Sequence, residues 1–70
     1  MSMTFSLRAL RVNQGYSQLE LSKKLGVSQT TVSAWERGDA EPSSRNIYKL
    51  AKLYAVEPTV IFDTLFKQKT

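Results

Sequence analysis

The stretch Ser17–Gly38, SQLELSKKLGVSQTTVSAWERG, constrains the fold more than any other part of the chain, because it joins two short amphipathic segments through one glycine. Ser17 with Glu20 three residues on forms a capping box. The serine oxygen accepts one orphan backbone N–H and the glutamate reaches back for another, so a helix is expected to begin at Gln18. Leu21 and Leu25 lie one turn apart on the same side, and Leu19 points away from them. Ser22 borders that stripe, where a small residue lets two helices cross closely. Gly26 can turn left-handed without steric cost and end the helix, and Ser28 is a good N-cap for the next.

Placing the second segment on a helix at roughly 100° per residue puts Val32 and Trp35 together, with Glu36 at their border. The opposite arc holds Thr30, Ser33, Ala34 and Arg37, with Gln29 in the exposed first turn. Short polar or small side chains and one cation suit contact with a polar surface.

The flanking segments supply scaffold. Met3, Leu7 and Leu10 mark one stripe of a first helix, with Arg11 beside it and Phe5, Ala9 and Val12 on a second side. Gly15 ends that helix, and Tyr16 precedes the Ser17 cap as a hydrophobic staple. After the DAEP loop, Ser43 or Ser44 can cap a helix whose Ile47, Leu50, Ala51 and Tyr54 recur at i, i+3, i+4 and i+7, with Leu53 beside them and Arg45, Lys49 and Lys52 outward. Pro58 opens a fifth helix running to about Phe66, with Ile61, Phe62 and Leu65 expected inward and Val60 outward beside Asp63, Thr64 and Lys67. Only the final KQKT is expected to fray. No alternating apolar run or hairpin turn argues for a strand. The expectation is an all-α fold of five short helices around one core, a single domain over residues 1–70.

Composition removes several function classes. The chain has no cysteine and no histidine, so disulfides, thiolate or imidazole metal sites and most nucleophilic triads are excluded by inventory. Of its six acidic residues, Glu20 and Glu36 already have structural roles, so an enzyme is not expected, nor is a cofactor or metal. The start lacks a signal-peptide pattern and no run approaches the ~20 apolar residues of a bilayer span, so a soluble cytoplasmic protein is expected. The net charge of +4 and pI near 9.7 meet the usual criterion for nucleic-acid binding. Those charges are spread over Lys23 and Lys24, Arg45, Lys49 and Lys52, and Lys67 and Lys69, rather than gathered in one patch.

The Ser17–Gly38 stretch resembles the helix-turn-helix of the family that includes the lambdoid phage Cro and repressor proteins and many small bacterial regulators, the XRE-like group. The likeness extends upstream through Leu7, Leu10 and Arg11 and downstream through Pro42, Ser43, the Leu50–Val56 run and the last apolar helix. The resemblance implies a compact lambda-repressor-like domain that binds double-stranded DNA in a sequence-specific manner. Such a protein would regulate transcription as a repressor, working as a homodimer on a near-palindromic operator.

A helix fits the major groove, where each base pair shows a distinct pattern of donors and acceptors. Gln29 is the leading candidate for readout, since its amide can both donate to and accept from adenine, and Thr30, Ser33 and Ala34 complete the set. The unpaired N–H groups at the start of the first motif helix make Ser17 and Gln18 phosphate candidates. The resemblance adds Thr31, Arg37, Ser43 and Ser44. Asp39 and Glu41 depart from basic residues that several relatives carry in this loop, a deficit that Arg45 and Asn46 can offset. Arg11 adjoins an apolar stripe and needs an acid, and the resemblance makes Glu36 its partner, either as a structural tie or as one that also aims Arg11 at DNA. It further implies a dimer contact at Val60 and Phe66. The competing class is a protein-interaction module of the antitoxin type that also binds DNA. A controller of a restriction-modification operon is a close variant of the first reading.

Overall fold

Serine begins four of the helices. In the computed structural model, which describes residues 6–66, the hydroxyls of Ser6, Ser17, Ser28 and Ser43 accept from the backbone N–H groups of Ala9, Glu20, Thr31 and Asn46 at 3.0, 3.0, 3.1 and 3.3 Å. These caps open α1 (Leu7–Asn13), α2 (Gln18–Leu25), α3 (Gln29–Arg37) and α4 (Ser44–Tyr54), while α5 (Pro58–Phe66) starts on proline. The Ser17 box is complete, with the Ser17 N–H donating to Glu20 Oε1 at 2.8 Å. No strand occurs among the described residues, so the all-α, five-helix expectation holds. Met3 of the first stripe, Phe5 of the second side and the tail from Lys67 to Thr70 lie outside the described residues.

The first four helices also finish alike. Gly15, Gly26, Gly38 and Ala55 each take a left-handed conformation, and the N–H of the next residue bonds back five positions: Tyr16 to Arg11, Val27 to Ser22, Asp39 to Ala34 and Val56 to Ala51, at 2.9 to 3.2 Å. Ala55 is the exception in residue type, holding φ 57° with a Cβ in place.

α2 packs on α3, α4 packs on α5, and α1 touches both α3 and α5. Leu21, Val32, Leu50, Tyr54 and Ile61 are the largest fully buried side chains. Tyr16 and Val27 pack against this core from the two ends of α2. The second apolar side of α1 faces out, with Val12 exposed.

On α5 the expected rotation is corrected. Ile61 and Leu65 are buried, but Phe62 and Phe66 stack on each other on the outside, whereas Thr64 is buried and Val60 is half-buried against the core. Thr64 can enter the core because its hydroxyl donates to the Val60 carbonyl at 2.8 Å, leaving its methyl as the group that packs. With 60, 61, 64 and 65 turned inward, 62 and 66 fall on the far side.

Arg11 of α1 and Glu36 of α3 meet in the interior. Arg11 Nε donates to Glu36 Oε2 at 2.7 Å and Nη2 to Oε1 at 3.1 Å, while Nη1 donates to the Tyr16 carbonyl at 2.8 Å. Gln18 Nε2, from the first residue of α2, donates to Glu36 Oε1 at 3.0 Å. The side chains of the pair are only 9% and 6% exposed. The Glu36 hydrogen bond holds Arg11 above its ordinary pKa against the opposing effect of burial.

Two stability measurements follow. Removing one partner of a buried pair typically costs ~3–5 kcal/mol, so Glu36→Ala should lower the midpoint of thermal unfolding by more than ~10 °C in a domain of this size. An unchanged midpoint would show that the pair contributes nothing. Ala55→Gly should instead raise the midpoint by about 2–8 °C, because relief of left-handed strain outweighs the added freedom of the unfolded chain by ~0.5–1 kcal/mol.

Candidate nucleic-acid interface

The two sides of α3 have different environments. Val32 and Trp35, 1% and 6% exposed, fix its back to the core. Gln29, Thr30 and Arg37 are exposed, and Ser33 and Ala34 are half-buried. None of the proposed base-reading residues is enclosed, and the short side chains of Thr30, Ser33 and Ala34 leave the helix backbone free to approach a flat surface. Thr31 is half-buried and tied into the cap, its hydroxyl 2.8 Å from that of Ser28.

Beside α3, an open cleft of about 330 Å³ is lined by Arg8, Arg11, Gln18, Ser33, Glu36 and Arg37. It brings together Gln18, Ser33 and Arg37 from the sequence-derived set. Arg37 is not idle there. Its Nε donates to Asp39 Oδ2 at 2.9 Å and its Nη1 to Ser33 Oγ at 2.6 Å, so its guanidinium is folded along the outer side of α3. Both partners of the Arg37–Asp39 pair are more than half exposed, where such a pair is worth little. Ser17, exposed, sits at the cap of α2, and Ser43 and Ser44, also exposed, sit at the start of α4 outside the cleft. At the end of α2 the Lys24 ammonium lies 5.5 Å from the centre of the Tyr16 ring.

Of the two residues expected at a dimer contact, Phe66 is exposed and stacked on Phe62 with ring centres 5.8 Å apart, whereas Val60 is turned toward the core. Sequence reasoning missed Arg8, although it lies one turn before Arg11 on α1 and so shares its side. It also missed the bond from Gln18 to Glu36 and the folding of Arg37 onto Asp39, which are side-chain choices without a sequence signature.

No cluster of three metal-ligating side chains exists among the described residues, and none of the described helices is long and apolar enough to cross a membrane. The family profile described as Helix-turn-helix matches residues 7–61. The chain is 40% identical over 65 residues to the HTH-type transcriptional regulator DicA of Escherichia coli, a match covering 91% of this chain and 48% of that protein. It is 38% identical over 63 residues to an uncharacterized HTH-type transcriptional regulator of Archaeoglobus fulgidus, covering 87% of this chain and 90% of that one. Repressor protein C2 of Salmonella phage P22 is 36% identical over 52 residues, 74% of this chain and 24% of the repressor. The chain therefore spans about half the length of the Escherichia coli relative and most of the archaeal one. No solved structure gives a significant match. With its capped helix pair, its buried tie from α1 to α3 and the family match over most of its length, the chain belongs to the helix-turn-helix family of DNA-binding transcription regulators of the Cro and phage-repressor, XRE-like type.

Proposed function

We propose that the chain is a single DNA-binding domain that acts as a sequence-specific repressor, working as a homodimer on a near-palindromic operator. The observation that carries this reading is the division of α3, anchored behind by Val32 and Trp35 and open in front at Gln29 and Thr30. The helix enters the major groove with its N-terminal end toward the bases. Gln29 pairs with adenine through its amide, Thr30 and Ser33 hydrogen-bond to base edges, and the Thr30 methyl or Ala34 touches a thymine methyl.

Phosphate contacts set the register. Ser17, Gln18, Thr31, Arg37, Ser43 and Ser44 form this set. The Ser17 and Ser43 hydroxyls accept cap bonds yet keep an O–H to donate, and Gln18 keeps one N–H beyond that given to Glu36. Arg37 exchanges Asp39 for a phosphate, a small cost for so exposed a pair.

A single helix reads few base pairs, so two copies are required, with half-sites one helical turn, ~34 Å, apart. The stacked Phe62 and Phe66 on the outer side of α5 support a contact between copies there, with Phe66 in its centre and Val60 contributing only from its edge.

Binding-site selection from random DNA is expected to return a near-palindrome. Gln29→Ala should lose about 1–3 kcal/mol of discrimination at one base pair in each half-site and little elsewhere; an equal weakening of all sequences would remove Gln29 from the reading set. Replacing Phe62 and Phe66 together by serine should leave a monomer that binds a half-site as before and loses the preference for the full operator. Retention of that preference would move the dimer contact off α5.

A further inference from the structure

We infer that Arg8 is a phosphate-binding residue, and that it is the cation of the cleft between α1, α2 and α3 that grips the DNA backbone without first giving up a partner, as Arg37 must. This deepens the DNA-binding reading and rests on it. The inference follows from what each cation of the cleft is already doing. Three guanidiniums, of Arg8, Arg11 and Arg37, face one carboxylate, Glu36. Arg11 is neutralised by that carboxylate in a two-pronged contact and has its remaining nitrogen on the Tyr16 carbonyl. Its residue exposure is 8%, so it has little surface to offer an incoming group. Glu36 in turn accepts two bonds from Arg11 and one from Gln18, which leaves it poorly placed to hold a second arginine.

Arg37 is compensated by Asp39 and rests on Ser33. Arg8 differs from both. It is exposed, it lines the same cleft one turn before Arg11, and it has no hydrogen bond or ion pair among the described residues. The excess positive charge of the cleft is therefore carried on the one guanidinium that needs no exchange before it can meet an anion.

The shape agrees with a backbone phosphate. The cleft is concave and open, and Ser33, from the outer side of α3, forms part of its wall. A group bound there lies alongside the proposed reading side, where the backbone of a duplex must pass if α3 occupies the groove. A guanidinium presents a fork that matches two phosphate oxygens, which a lone ammonium does not. Gln18, whose amide keeps one N–H beyond the bond to Glu36, lines the same cleft as a neutral second donor.

The test compares wild type, Arg8→Gln and Arg8→Lys in binding to the selected operator and to unrelated duplexes across a salt series. Arg8→Gln is expected to weaken all sequences by a similar factor, on the order of tenfold per bound subunit. It should also make the dependence of log affinity on log salt shallower by ~0.9 per subunit. Arg8→Lys should keep the wild-type salt slope while losing part of the affinity. Unchanged affinity and slope in Arg8→Gln, beside a wild type that binds and discriminates, would overturn the assignment of Arg8 and leave the DNA reading intact. A loss confined to the operator would overturn it too, by making Arg8 a base contact. A slope lost equally in Arg8→Lys would show that charge is not what Arg8 supplies. A wild type without salt-sensitive binding to any duplex would overturn both proposals together.

Discussion

Three helices converge on the Glu36 carboxylate. It stands in the last turn of α3, takes two hydrogen bonds from Arg11 of α1 and one from Gln18 at the start of α2, and is almost out of water. Withdrawing two charges from solvent costs several kcal/mol each, and mutual attraction offsets this only when the geometry is good and every remaining donor and acceptor is satisfied. Both conditions are met here: no buried side-chain polar atom among the described residues lacks a partner. Apolar groups of similar volume would fill the space as well, but they would set no angle. A planar fork on a carboxylate fixes direction as well as distance, so the pair determines how α3 lies relative to α1 and α2.

That fixing matters because the individual helices are weak. They run from 7 to 11 residues, short of the ~12–15 that an isolated helix needs to be even marginal in water. Their ends are therefore set by local chemistry and their persistence by packing. Serine caps at the front and left-handed turns at the back let α1 to α4 each stop abruptly while pairing part of their end N–H and C=O groups, and this lets five short helices fold back on one another within 61 described residues.

The same locality explains how much of the structure was legible in the sequence. The Ser17–Glu20 box, the turn at Gly26, the Ser28 cap and the Ile47–Tyr54 stripe depend on residues within a few positions of each other, and each appears where its spacing put it. The back of α3 was legible for the same reason. The rotation of α5 was not, because hydropathy ranks Phe62 above Thr64 for burial, and the order reversed once the Thr64 hydroxyl found a carbonyl on its own helix. Ala55 carried no glycine to announce its turn. In the cleft, Gln18 and Glu36 are 18 residues apart and Arg8 reaches it from a different helix, so their meeting depends on tertiary packing that periodicity along a single helix cannot express.

These constraints divide α3 into two halves. Its C-terminal half is held: Trp35 in the core, Glu36 by two other helices, and Arg37 across Ser33 to Asp39. Its N-terminal half, Gln29 and Thr30, is exposed beyond the Ser28 cap. A long side chain such as glutamine gives up as much as ~1.5–2 kcal/mol of rotamer freedom when it is ordered, whereas serine, threonine and alanine give up less. A reading surface made mostly of short side chains therefore loses little on ordering, but it cannot compensate for a misplaced backbone by reaching. Such a surface works only if the helix arrives at the groove in the right orientation. The buried fork at Glu36 supplies that orientation, at the end of α3 opposite Gln29 and Thr30.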